Sequence, residues 1–203
     1  MPEAARVELL LASASPFRRK MLEAAGLQFR VVPANVDETA LKRTLSARGL
    51  APAAVAEAVA AAKAEAVSSG FPENLVVGAD QVLALEDEML DKPADLAAAR
   101  AQLEQLRGRT HRLFSAVALA QGGQMVWCKV ERATLTMRDF SSGFLDTYLA
   151  RSGTGLCQIV GSYEIEGPGI QLFERVEGDH FTIIGLPLMP LLAELRARGV
   201  IQA

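Results

Sequence analysis

Strand and helix signals alternate along most of this chain, and that alternation confines it to an α/β architecture. Val7–Ala12 reads as a buried strand, Pro16–Ala25 as a helix stopped by Gly26, and Phe29–Pro33 as a second strand. A polar stretch around Asn35–Thr39 leads to the Ala-rich Pro52–Ser68, whose composition favours helix. Leu75–Leu85 reads as a strand with Glu86–Glu88 as its turn, and Asp95–Leu106 as a helix with Gly108 just beyond its end. Gln121-Gly-Gly-Gln supplies hairpin chemistry between Leu113–Ala120 and Met125–Thr136, so those runs should pair antiparallel and the sheet should be mixed. A helix at Ser142–Ala150, strands at Ile170–Arg175 and His180–Ile184, and a closing helix at Pro187–Arg198 complete the expected order. With no internal repeat or low-complexity linker, residues 1–203 are expected to form a single domain.

Charge narrows the function classes. A net charge of −3 from 21 basic and 24 acidic residues gives no global field for a nucleic acid polymer or an anionic membrane. Any anion must therefore be held locally. The N-terminus lacks the pattern of a signal peptide, and no apolar run approaches the length of a membrane span. Cys128 and Cys157 lack CxxC spacing and read as buried thiols in a reducing cytoplasm.

The first helix carries an unusual charge pattern. Ser15 is the expected N-cap and Pro16 the first helical residue, yet Arg18, Arg19 and Lys20 crowd the first turn, where the helix dipole disfavours cations by about 0.3–1 kcal/mol each. Free backbone N–H groups, the hydroxyls of Ser13 and Ser15 and an arginine fork make a phosphate seat without a glycine-rich loop. A solvated basic face with an ordinary cap is the plainer alternative.

Asp80 interrupts an otherwise apolar strand. Burying an unpaired carboxylate costs several kcal/mol, so Asp80 is expected to be ion-paired, hydrogen-bonded, metal-bound or open to a cleft. Gly78 just before it permits close approach of a ligand or another backbone. Lys63 and Lys92 are candidate partners. On a regular helix Lys63 falls about 40° from Val59 and about 80° from Val55, at the edge of the apolar stripe, so it either reaches into a pocket or snorkels to water. Asp37 and Glu38 form a second acidic pair, either solvated or suited to a hard divalent cation, which one or two carboxylates plus substrate phosphates can hold. His111 and His180 are too few for a zinc site of the usual kind.

In combination, Ser13-Ala-Ser-Pro-Phe-Arg-Arg-Lys-Met-Leu, Val36-Asp-Glu-Thr, Lys63 in its helix, Gly78-Ala-Asp-Gln, Asp91-Lys-Pro, Gly108-Arg-Thr-His, Gly161-Ser-Tyr-Glu-Ile-Glu-Gly and Gly185-Leu-Pro-Leu resemble the Maf family of nucleotide pyrophosphatases. The match spans nearly the whole chain in order. The resemblance implies a mixed, curved β-sheet flanked by helices, in two lobes around a central cleft, as in inosine-triphosphate pyrophosphatases. It also implies dependence on a divalent cation, Mg²⁺ or Mn²⁺. Asp80 matches the family's proton acceptor, assisted by Lys63 and Lys92; Ser13, Ser15 and Arg18 match phosphate-binding positions; Glu38 and Asp80 match the metal site.

Subfamilies differ at three positions. The dTTP/UTP enzymes carry Arg, Thr and Gln where this chain has Phe17, Gln81 and Glu166. The 7-methyl-GTP enzymes carry an aromatic residue, Gln and Glu, the set seen here with Phe where Trp is expected. An aromatic face attracts the cationic 7-methylguanine by about 0.5–2 kcal/mol, and a carboxylate accepts the N1–H and N2 amino protons of guanine. The resemblance thus implies a small-molecule nucleotide substrate, 7-methyl-GTP. The alternatives are dTTP or UTP hydrolysis and a non-catalytic nucleotide-binding regulator of septum formation. Homodimerisation stays open.

Overall fold

A computed structural model of the chain describes residues 8–202, so Val7 of the expected first strand lies outside the described residues. Those residues form two compact units, the first comprising 8–81, 115–131 and 180–202 and the second 82–114 and 132–179. Elements alternate as α/β patterning requires. The order is β1 (Leu9–Leu11), α1 (Pro16–Ala24), β2 (Arg30–Val31), α2 (Glu38–Ala47), α3 (Pro52–Gly70), β3 (Leu75–Leu85), β4 (Glu88–Leu90) and α4 (Leu96–Leu106). The order continues with β5 (Thr110–Gln121), β6 (Gln124–Met137), α5 (Ser142–Ser152), 3₁₀ turns at Gly153–Gln158 and Pro168–Leu172, β7 (Phe173–Glu177), α6 (His180–Ile184) and α7 (Leu188–Ala197). Strands β3, β5 and β6 each contribute a segment to both units.

In the first unit the strand order is β2-β1-β3-β5-β6, with β1 parallel to both β2 and β3. Side chains alternate along a strand. Leu9 and Leu11 of β1 and Leu75, Val77 and Ala79 of β3 therefore share one face, which packs with Met21 and Leu22 of α1 and with Leu188, Leu191 and Leu195 of α7. Val76, Gly78 and Asp80 take the other face, and α3 packs there. A Cβ added at Gly78 would lie 2.2 Å from Ala60 O and 2.8 Å from Ala64 N, so only glycine lets helix and strand come this close.

In the second unit β4 pairs antiparallel with β3 through a turn at Glu86 and Asp87, and β7 pairs antiparallel with β6. Leu83, Leu103, Leu106, Leu113, Leu135, Met137, Phe140 and Leu145 are fully enclosed side chains of its core. With only Gly122-Gly123 between hydrogen-bonded neighbours, β5 and β6 run antiparallel, so the sheet is mixed as expected.

Three segments differ from expectation. His180–Ile184 is a helix, not a strand: five β-branched and aromatic residues carry strand propensity but too few turns of pattern to decide the period. Ile170–Leu172 belongs to a 3₁₀ turn opened by Pro168, which delays the strand to Phe173. The polar stretch after Asn35 conceals α2, a helix with no fully buried residue, whose short apolar side rests on the half-buried Ala40, Leu41 and Leu45. The two cysteines are free but only half-buried. Among the described residues no helix is long and apolar enough to cross a membrane.

Candidate active site

Asp80 is only 3% exposed, in the middle of a strand that is otherwise apolar apart from Gln81. Its parity aims it at the face covered by α3. There Lys63 lies in the buried stripe of the helix, between Ala60 and Ala64, the two residues that press on Gly78. The snorkelling alternative is therefore excluded, because Lys63 is 5% exposed. Its ammonium stands 2.8 Å from Glu38 Oε2, donates to Ala79 O at 3.2 Å and reaches Asp80 Oδ1 at 3.4 Å. Burial pushes Lys63 below the usual lysine range and Arg18 adds to that, while Asp80 and Glu38 oppose it.

Glu38 owes its position to a cap. Asp37 accepts from Ala40 N at 2.9 Å and starts α2, so the two acids divide their tasks: Asp37 closes the helix and Glu38, its first residue, turns to Lys63. One turn later the same helix carries Lys42, whose ammonium lies 3.0 Å from Asp80 Oδ2 and donates to Gln81 O at 3.4 Å. Among the described residues Asp80 Oδ2 nevertheless has no hydrogen-bond donor, so the Lys42 contact is one of charge and not of aligned geometry. Sequence reasoning missed Lys42. The signal was its spacing four residues after Glu38, which means one face of a helix only once α2 is recognised.

Arg18 answers the puzzle of the basic first turn. Its Nε donates to Gly185 O at 2.9 Å and its Nη1 to Ala79 O at 2.8 Å and Ser13 Oγ at 3.3 Å. The guanidinium thus ties α1 to the carbonyl immediately before Asp80. Burial lowers its pKa, and the fields of Asp80 and Glu38 oppose that shift. Arg19 pairs instead with Glu23 on the solvent side, and Lys20 is exposed. Ser13 is buried and accepts from Ser15 N at 3.2 Å; Ser15 caps α1 by accepting from Arg18 N at 3.4 Å. Phe17 is half-buried and is not among the side chains packed in the apolar cluster beneath α1.

Gln81 faces the other way from Asp80. Its Nε2 donates to Ser115 Oγ at 3.0 Å, Thr182 O at 3.2 Å and Ile183 O at 3.0 Å, and two backbone carbonyls among these acceptors fix which end of the amide is nitrogen. These are carbonyls at the end of α6 that lack a helical partner. Gln81 Oε1 is left as the acceptor end, close to Gly185.

The first unit thus brings together Ser13, Ser15, Arg18, Glu38, Lys63 and Asp80, with Lys42 added. Lys92 and Glu166 belong to the second unit: Lys92 is exposed just after β4, and Glu166 is exposed in the turn before Pro168.

The Maf-like protein family profile matches residues 8–198. Over 196 residues, 97% of this chain and 98% of the relative, the sequence is 50% identical to the 7-methyl-GTP pyrophosphatase of Brucella abortus. It is 52% identical to the 7-methyl-GTP pyrophosphatase of Mesorhizobium japonicum over 96% of this chain and 98% of that protein. A third relative, the nucleoside triphosphate pyrophosphatase of Granulibacter bethesdensis, is 49% identical over 94% of this chain and 96% of its own length.

Proposed function

The chain belongs to the Maf-like protein family, and from that premise we propose that it hydrolyses 7-methyl-GTP between the α- and β-phosphates, releasing 7-methyl-GMP and pyrophosphate. The observation that carries the reading is Asp80, a buried carboxylate held by lysines of two helices beside a guanidinium at the mouth of α1. That arrangement suits phosphoryl transfer, where positioning and charge neutralisation dominate. The oxygen of a water bonds to the α-phosphorus, the bridging bond to the β-phosphate breaks with its electron pair leaving on pyrophosphate, and Asp80 takes the proton of the water. Ser13, the α1 start capped by Ser15, and Arg18 hold phosphate oxygens; with Nε and Nη1 committed to the protein, Arg18 offers Nη2. Lys63 and Lys92 offset charge that builds on the departing group.

Glu38 and Asp80 fit a hard divalent cation such as Mg²⁺ or Mn²⁺. Both offer oxygen donors around one ammonium, and Asp80 Oδ2 is buried without a hydrogen-bond donor among the described residues. Among the described residues no three His, Cys, Asp or Glu side chains form a metal cage, so these two carboxylates would share the ion with substrate phosphates. When bound, the cation supplies charge neutralisation on the triphosphate.

For the base, Phe17 offers an aromatic face to the cationic ring and Gln81 Oε1 an acceptor for a base N–H. Glu166 enters on the chemistry of guanine recognition, as acceptor for N1–H and the N2 amino group. Hydrolysis of 7-methyl-GTP in water enriched in heavy oxygen tests the reading. One label in 7-methyl-GMP and none in pyrophosphate is expected. Label in pyrophosphate, or release of orthophosphate, overturns it, and a preference for dTTP or UTP across a substrate panel overturns the base assignment.

A further inference from the structure

Lys42 is the member of the charged cluster that this reaction leaves without a task. It differs from Lys63 in commitment. The Lys63 side chain is 6% exposed, pairs with Glu38 at 2.8 Å and donates to Ala79 O at 3.2 Å, whereas the Lys42 side chain is 19% exposed, makes a longer bond of 3.4 Å to Gln81 O and, among the described residues, touches Asp80 Oδ2 outside hydrogen-bonding geometry. A charge contact that is neither aligned nor fully desolvated is weak and readily exchanged.

Charge balance points in the same direction. Arg18, Lys42 and Lys63 set three cations against the two carboxylates of Asp80 and Glu38, an excess of one positive charge at the mouth of α1. Such an excess complements a polyanion. Lys63 is held by three acceptors and Arg18 by three more, so the ammonium able to change partner is that of Lys42. Its four-carbon stem, on a helix with no fully buried residue, gives it the reach to do so.

We propose that Lys42 is a further substrate-binding residue, whose ammonium passes from Asp80 Oδ2 to a β- or γ-phosphate oxygen when the nucleotide binds. The proposal rests on the pyrophosphatase reading, which supplies the polyphosphate. As a mere counter-ion to Asp80, Lys42 would stabilise the fold and touch no ligand.

Lys42→Met and Lys42→Arg separate the two roles through inhibition by pyrophosphate, calorimetric binding of tripolyphosphate, and steady-state kinetics on 7-methyl-GTP. Lys42→Met is expected to raise KM and weaken pyrophosphate and tripolyphosphate by about 10- to 100-fold, the loss of one charge-assisted contact, with a smaller change in kcat. Lys42→Arg should recover most of that loss, and circular dichroism should show both variants folded. If Lys42→Met does not fold, Lys42→Gln makes the same comparison. Unchanged affinity for pyrophosphate and tripolyphosphate overturns the proposal, even where thermal stability falls. Failure of the unaltered protein to release pyrophosphate from any nucleoside triphosphate instead overturns the pyrophosphatase reading, and binding of tripolyphosphate by the Lys42 variants still decides the role of this lysine.

Discussion

A carboxylate inside an apolar strand persists only where its charge is answered, and at Asp80 the answer comes from α3 and α2 at once. Removing that charge leaves Lys63 with Glu38 and Ala79 O, so Asp80→Asn is expected to keep the fold. Pyrophosphate release should fall by roughly 10²–10⁴-fold, the scale of a lost proton acceptor, with a circular dichroism melt close to that of the unaltered protein. Near-normal turnover would remove Asp80 from the chemistry. Glu166→Gln probes the base: uracil and thymine offer a single ring N–H where guanine offers N1–H and an amino group, so an amide should serve the pyrimidine better. A panel of 7-methyl-GTP, GTP, UTP and dTTP is expected to shift toward the pyrimidines, and an unchanged ranking would show that Glu166 does not read the base. The pairing of Asp80 with Lys63 could be anticipated from the cost of burial and from helix geometry. Lys42 could not, because its spacing from Glu38 acquires meaning only in a helix whose apolar pattern, Leu41 and Leu45, is too short to announce it.

That helix shows where sequence patterning stops at the level of elements. Long strands and helices announce themselves by apolar length and composition, as in β3, a buried run whose limits Leu75–Leu85 match the expected ones, and in the Ala-rich α3. Helix α2 has no fully buried residue, and its Asp37 cap and the Gly49 beyond its end are its clearest marks. In α6, strand-prone residues are held helical by their setting, since Gln81 and Ser115 donate to the carbonyls that end it. The approach of α3 to β3 was foreseeable in part: Gly78 signalled a close neighbour, and the neighbour is helix backbone. Gly78→Ala places a Cβ 2.2 Å from Ala60 O, and backbone cannot yield as a flexible side chain would. Overpacking of this kind costs about 1–3 kcal/mol, roughly 2–12 °C in Tm for a chain of this size. The helix that must move carries Lys63, so turnover should fall together with Tm in a melt and a pyrophosphate assay on the same preparation. Full activity at unchanged Tm would contradict the close packing.

At the scale of the whole molecule, two quieter pieces of the family pattern meet in the core of the second unit. Gly108-Arg-Thr-His supplies His111 and Gly161-Ser-Tyr supplies Tyr163, and His111 Nε2 hydrogen-bonds the Tyr163 hydroxyl at 2.8 Å while His111 Nδ1 is buried with no partner among the described residues. Gly161 sits at φ +83°, and a Cβ there would lie 2.5 Å from the Tyr163 ring, so glycine makes room for the tyrosine. Protonating His111 would bury a second N–H without an acceptor, and burial accordingly lowers its pKa to about 4 from 6.5. The folded value lies below the unfolded one, so the unfolded state binds the extra proton first as pH falls. Stability from this group is complete above pH 6.5 and is lost progressively between 6.5 and about 4, amounting to roughly 3 kcal/mol. Trp127 lies in the first unit and both tyrosines in the second, so denaturant unfolding followed by each fluorophore at pH 5 and pH 7.5 reads the units separately. The unaltered protein should lose stability at pH 5 through the tyrosine signal. In His111→Gln, which cannot take up the proton, the decline should be smaller by most of the difference that linkage assigns to His111 between those two pH values. If both proteins lose stability in parallel across that interval, the His111–Tyr163 pair is not what makes the second unit sensitive to acid.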